Sequence, residues 1–181
     1  MLKFIVIIFI ISLSNQVYAK NKDQIINKLK GTSNLNFDFE QNINGKIELG
    51  NCTIQYPKKM FCEYDKKNKV MVSNGKSLII KSKSSYYRYA LKKTPLNFIL
   101  DKNFLLKKIS ELDEEIINNS LIKFTINENG QLIDIFFDIK NYELIGWQTK
   151  DIYQNTAVTI LYSIKLNQVI DEKIFKTPLQ N

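Results

Sequence analysis

Two cysteines and a knot of carboxylates are the first candidates for chemistry in this chain. Cys52 and Cys62 are its two cysteines. The break at Pro57-Lys58-Lys59 lies midway between them, so a hairpin sets them opposite each other. Both share parity with apolar neighbours, Ile54 and Tyr56 before the turn and Met60 and Tyr64 after it. In an oxidising compartment this placement predicts a cross-strand bridge that faces inward; the alternative is two buried free thiols. No C-x-x-C spacing is present, so such a bridge is structural rather than redox-active. Glu111, Asp113, Glu114 and Glu115 form the carboxylate cluster, between a predicted helix and a predicted strand. No nearby sequence feature would perturb their pKa values, and carboxylates in such a connection ordinarily solvate it.

What is missing narrows the field further. The chain has no histidine, which excludes Ser-His-Asp and Cys-His catalysis and takes from zinc its commonest partner to cysteine. Its six glycines fall mostly at turns, and none builds a phosphate cradle. An enzyme is therefore not expected, and neither is a metal or a cofactor.

Charge gives a weaker pointer. Lys+Arg 26 against Asp+Glu 18 leaves +8. Nucleic-acid readers lean on arginine for bidentate base contacts, yet Arg88 is the chain's single arginine. The lysines stand in ones and twos among many Asn and Ile, as an AT-rich coding sequence produces. Nucleic acid is not an expected partner; a diffuse preference for acidic surfaces is compatible with the balance.

The elements that must position these residues begin after a leader. Residues 1–19 carry Lys3, an apolar run from Phe4 to Leu13, and Val17 and Ala19 at the −3 and −1 places of a signal-peptidase site. Cleavage before Lys20 is the expectation, with 20–181 as a single exported domain. The run is short for a bilayer span, and no cysteine at the cleavage point would accept a lipid.

Beyond it, "KDQIINKLKG" reads as a short amphipathic helix capped by Asp23, with Ile25, Ile26 and Leu29 on one face. Period-2 alternation then dominates, as in Leu35, Phe37 and Phe39. In "VMVSNGKSLII", Asn74-Gly75 is expected to supply the positive φ angles of a tight I′ turn.

The segment from Thr94 to Leu112 changes character. Leu96, Ile99, Leu100 and Phe104 recur at helical spacing after Pro95, predicting two short helices hinged near Asp101. Strands resume through "SLIKFTI", a turn at Glu128-Asn129-Gly130, "LIDIFFD", "ELIGWQTKD" and "TAVTILYSIKL", and a docking segment follows at "DEKIFKTP". The class is α+β, mainly an antiparallel sheet of about eleven strands. One apolar face of that sheet must be covered by the short helices, as ordinary core or as a lid over a cavity.

The chain resembles the periplasmic outer-membrane lipoprotein carrier family, LolA, and is closest to its alphaproteobacterial members. The resemblance rests on Phe37-x-Phe39-x-Gln41, Pro57 with Met60-x-x-Glu63-Tyr64, and Ser73-Asn74-Gly75-Lys76-x-Leu78. It continues through Thr94-Pro95-Leu96 with Ile99-Leu100, then Leu144-x-Gly146-Trp147 with Asp151, and finally Asp171, Phe175 and Pro178.

It implies an incomplete β-barrel with a short-helix lid enclosing an apolar cavity. It also implies a monomeric carrier that takes triacylated lipoproteins from an inner-membrane ABC transporter to a LolB-like outer-membrane receptor. Alternatives are a carrier of another amphiphile, such as a glycolipid, and a sensor of mislocalised lipoproteins, which would need a second domain. On this reading the lid face of Leu96, Ile99, Leu100 and Phe104 closes over Ile54, Tyr56, Met60, Tyr64, Leu78 and Ile80, with Trp147 completing the lipid-binding set.

Two positions depart from the family. Enterobacterial members carry a lid-holding arginine just before the proline, where this chain has Tyr56; members often have tryptophan where it has Cys62. The Tyr56 hydroxyl is expected either to bond the lid backbone or to leave the lid to apolar packing. LolB-type receptors are lipidated at an N-terminal cysteine that is missing here, which favours the carrier.

Overall fold

Alternation of apolar and polar residues gives this chain one long sheet. The computed structural model describes residues 21–65, 68–150 and 154–179. The expected leader and its cleavage point lie outside the described residues. Helix α1 runs through residues 21–30 and is already formed at Asn21, so Asp23 sits inside the helix and does not cap it.

Six strands follow: β1 (Asn34–Ile43), β2 (Lys46–Gln55), β3 (Lys59–Tyr64), β4 (Lys69–Asn74), β5 (Ser77–Lys81) and β6 (Tyr86–Ala90). The helices α2 (Leu96–Ile99) and α3 (Lys102–Glu111) interrupt them. The chain then returns through β7 (Glu115–Ile117), β8 (Leu121–Glu128), β9 (Gln131–Asp138), β10 (Leu144–Lys150) and β11 (Thr156–Leu166).

All eleven strands belong to one antiparallel sheet in the order β6-β5-β4-β3-β2-β1-β11-β10-β9-β8-β7. Its ends, β6 and β7, do not pair with each other, so the barrel is unclosed. The two halves are plain meanders whose turns use residues that tolerate positive φ. Asn44-Gly45 and Asn129-Gly130 take positive φ at both positions. At the β4–β5 turn only Gly75 does, with φ 91°. Asn74 instead closes that turn with its side chain, accepting from the Lys76 and Ser77 amides at 3.0 and 2.9 Å.

The inward faces of the strands form the core with the helices. Phe37, Phe39, Cys52, Ile54, Met60, Cys62, Phe124, Ile135, Phe137 and Trp147 share one buried cluster with Ile25 and Leu29 of α1. Gly50 belongs to this face, opposite Phe39 on one neighbour and Tyr64 on the other. The outward face is covered in part by the C-terminal segment. A 3-10 turn at Glu172–Phe175 buries Phe175, Glu172 pairs with Lys59, and Asn74 donates to the Thr177 hydroxyl at 3.0 Å. This is the expected docking segment.

Cys52 and Cys62 are direct cross-strand partners, with Cα atoms 4.1 Å apart, and they are joined. Both are buried on the inward face. A bridge across so short a loop constrains the unfolded chain modestly, by about 2–3 kcal/mol in the chain-entropy account. Reducing it should lower the unfolding free energy by that amount, read from a lower urea midpoint, without unfolding the protein in buffer. Alkylation of the unfolded, unreduced chain should label no thiol; two labels per chain would refute the native bridge.

Candidate functional site: a helical lid on the concave sheet

The helices α2 and α3 form where they do because Pro95 opens the first and Asp101 caps the second. Pro95 has helical φ and ψ of −57° and −30°, and needs no N–H there. The Asp101 side chain accepts from the Phe104 amide at 3.1 Å, which ends one helix and starts the next. The expected hinge is therefore real.

The apolar stripe of this pair faces the sheet. Ile99, Leu100, Leu105 and Ile109 are fully buried, and the Phe98 and Phe104 rings meet at 4.8 Å. Of the expected lining, Ile54, Met60, Tyr64, Leu78, Ile99, Leu100 and Trp147 lie buried in one cluster, with Tyr56, Leu96 and Phe104 packed at its border. Ile80 does not join them. It is half-buried near the edge of the sheet, between Met71 and the exposed Tyr87, because β5 and β6 run past the reach of the lid.

Lid and sheet thus pack directly on each other in this conformation. A narrow groove does open under the end of α1, lined by Leu29, Leu35, Tyr142, Leu144 and Leu166, but none of the expected lining residues borders it.

The lid is held by polar contacts gathered around one loop. The Lys58 amide donates to the Leu100 carbonyl at 2.7 Å, where α2 ends. The Lys58 ammonium reaches Asp101 at 3.2 Å, and Ser73 donates to the Lys58 carbonyl at 2.6 Å. Lys58 can serve both partners because it takes φ of 67° in the turn after Pro57. On the other side, Lys102 donates to the Thr32 carbonyl at 2.9 Å and Lys108 pairs with Glu128 at 2.9 Å.

Tyr56 takes no part in this latch. Its hydroxyl is buried with no hydrogen-bond partner, and burial pushes the phenol well above its ordinary range. The Lys102 ammonium lies 5.9 Å from its ring centre. The lid backbone is therefore held from Lys58, two residues later, and not from the position before the proline. Sequence reasoning passed over Lys58, Asp101 as an ion-pair partner, and Lys102; the one available signal was a lysine directly after a turn proline.

Asp101→Ala should remove both cap and ion pair and cost about 1–2 kcal/mol. Asp101→Asn keeps a capping oxygen and should cost well under half of that. Hydrogen exchange at the amides of α2 and α3 should rise in the same order while the β1 and β11 amides stay protected.

Tyr64 closes the far end of the concave face. Its ring meets Phe39 edge-on at 5.1 Å, and the Lys69 ammonium, which also pairs with Glu48, sits 3.6 Å from its centre. Burial, then the Glu48 charge, raises its phenol. In the carboxylate cluster, Glu114 departs from expectation. Burial raises its pKa despite an Asn21 hydrogen bond at 2.9 Å and the Lys22 charge. Among the described residues, no group of His, Cys, Asp and Glu is placed to hold a metal.

The family model for outer membrane lipoprotein carrier protein LolA matches residues 17–178. The chain belongs to the LolA family. No curated protein matches it.

Among solved structures it is similar to a LolA superfamily protein from Nitrosomonas europaea, at 8% identity and TM-score 0.46, covering 88% of this chain and 97% of that one. It is also similar to the lipoprotein LppX from Mycobacterium tuberculosis, at 11% identity and TM-score 0.45, covering 86% and 99%. A third is LprF from Mycobacterium bovis, at 12% identity and TM-score 0.44, covering 85% and 97%. LolA membership places the chain in a family of binding proteins that carry lipoproteins. Among the described residues, no helix is long and apolar enough to cross a membrane.

Proposed function

We propose that this protein is a periplasmic carrier for the acyl chains of lipoproteins. It receives triacylated lipoproteins released by an inner-membrane ABC transporter and hands them, as a monomer, to a LolB-like outer-membrane receptor. The observation that supports this best is the lid itself: an apolar two-helix face laid on the concave side of an unclosed sheet and fastened near one loop.

The physics of such a device is a competition. Burying an acyl chain is worth about 0.8 kcal/mol per CH₂, so a lipoprotein does not cross water unshielded. In the closed state Ile99 and Leu100 occupy the concave face where acyl chains would lie. Ligand must displace them, and their return favours release. Affinity is then a difference between two burials, which suits a carrier that must let go.

The deciding experiment is to recover the protein from the periplasm of its host and identify what accompanies it by mass spectrometry. The expected result is lipoprotein bearing a triacylated N-terminal cysteine. A glycolipid or other amphiphile in its place would keep the lid and overturn the cargo.

A further inference from the structure

Every ionised side chain between Asp65 and Asp101 is a cation. The fold gathers this stretch into the β4, β5 and β6 end of the sheet and the turn that leads to the lid. Lys76, Lys83, Arg88, Lys92 and Lys93 are all exposed. Among the described residues none of these five is paired with a carboxylate, whereas Lys69 in this stretch pairs with Glu48 on the inward side. Tyr87, on the concave-side face of β6 and so opposite to Arg88, is 53% exposed, its ring stacked on Tyr89 at 6.5 Å and 18°.

Edge protection explains only part of this. A free edge strand is commonly blunted by charge, and Arg88 on β6 does that. Lys76, Lys83, Lys92 and Lys93 lie in turns off the strand, where they guard no edge. The opposite end of the same sheet, β7, is guarded differently, by the Glu115–Lys123 pair at 2.5 Å beside Asp113 and Glu114.

We propose that the β4–β6 end docks the protein on anionic phospholipid bilayers. The cations meet headgroup phosphates, and Tyr87 enters the interface. Single-sign charge along a stretch, 66–100, that carries no carboxylate of its own suits a smeared anionic surface better than a shaped acidic partner. An exposed tyrosine on the same edge strand has the amphipathic form favoured at headgroup depth. The strip runs through Lys92 and Lys93 straight into Pro95, so contact there brings the lid to the bilayer surface.

The test is co-sedimentation of the intact protein with mixed phosphatidylglycerol–phosphatidylethanolamine vesicles and with phosphatidylcholine vesicles. Binding to the anionic vesicles alone, weakening with salt, is expected. Lys83→Gln with Lys92→Gln should weaken it about 30-fold, since each cation near such a surface counts for about fivefold. Lys30→Gln with Lys140→Gln, exposed lysines elsewhere, should change it less than about threefold. Circular dichroism checks that each variant folds; if Lys92→Gln disturbs its turn, Lys76→Gln with Lys83→Gln takes its place. No binding to anionic vesicles overturns the proposal, as does an equal loss in both pairs, which would mean net charge alone. Retained vesicle binding without the strip's lysines also overturns it and places the bilayer contact elsewhere.

Discussion

Leu96→Glu will fold and will fail to take up lipoprotein. Leu96 opens α2 and packs at the border of the core, where it is only half-buried. A glutamate there can turn its head to water in the closed state, so the sheet and its disulfide should survive. Among acyl chains the same carboxylate has no partner. Its desolvation costs several kcal/mol, on the order of 3, which is a loss of about 100-fold or more in loading.

The measurement is transfer from transporter-bearing membranes, alongside a urea transition that remains cooperative. Ile99→Glu is the contrast, because Ile99 is fully buried and a charge there has no route to solvent. That variant should not fold. If Leu96→Glu unfolds as well, the α2 face is ordinary core; if it folds and still loads, acyl chains bind elsewhere.

The largest loss of stability from the smallest change is expected at Gly50. A Cβ at this position would lie 2.1 Å from the Glu63 carbonyl oxygen and 2.9 Å from the Phe39 ring. The oxygen belongs to the backbone of β3, hydrogen-bonded beside it, and cannot turn away. Gly50→Ala must therefore part β2 from β3 locally or push Phe39 off Tyr64, at a cost of about 3 kcal/mol. Gly31→Ala is the control. Its nearest atoms would be backbone oxygens at 3.6 and 3.7 Å, an ordinary contact, and the change should be close to neutral. Urea denaturation of both proteins decides it. Equal midpoints would show that the sheet yields at Gly50 more easily than backbone packing allows.

How far the sequence could be read depended on the range of the cause. Local causes were legible. Alternation at Leu35, Phe37 and Phe39 announced β1, and the spacing from Leu96 to Phe104 announced the lid, because each reports a period within one element. The Cys52–Cys62 pairing was legible because a hairpin is itself local.

Ile80 was assigned to the correct face by parity, yet a period does not say how far along a strand the cover extends. The latch was out of reach for a stronger reason. Lys58, Ser73 and Asp101 come together only when the β2–β3 turn meets the end of α2, and nothing in their own neighbourhoods marks them as partners. The Asp23 cap failed because the helix extends past the first polar residue that looked able to start it. Gly50 carried a legible sign, a glycine inside a strand pattern, whose meaning required the ring of Phe39 above it.

The order of the strands also bears on how such a chain comes into being. β1 and β11 lie side by side at the middle of the sheet, where the Asn34 side-chain amide donates to the Gln168 carbonyl and accepts from the Gln168 N–H. A ribosome makes β1 first and β11 last. Until the final strand emerges, two separate meanders exist, each with a raw inner edge and half a core. The molecule therefore has no complete core while it is still being made. A chain ending before Thr156 should be open to protease across both meanders, not merely at its shortened end. The seam thus ties completion of the core to completion of the chain.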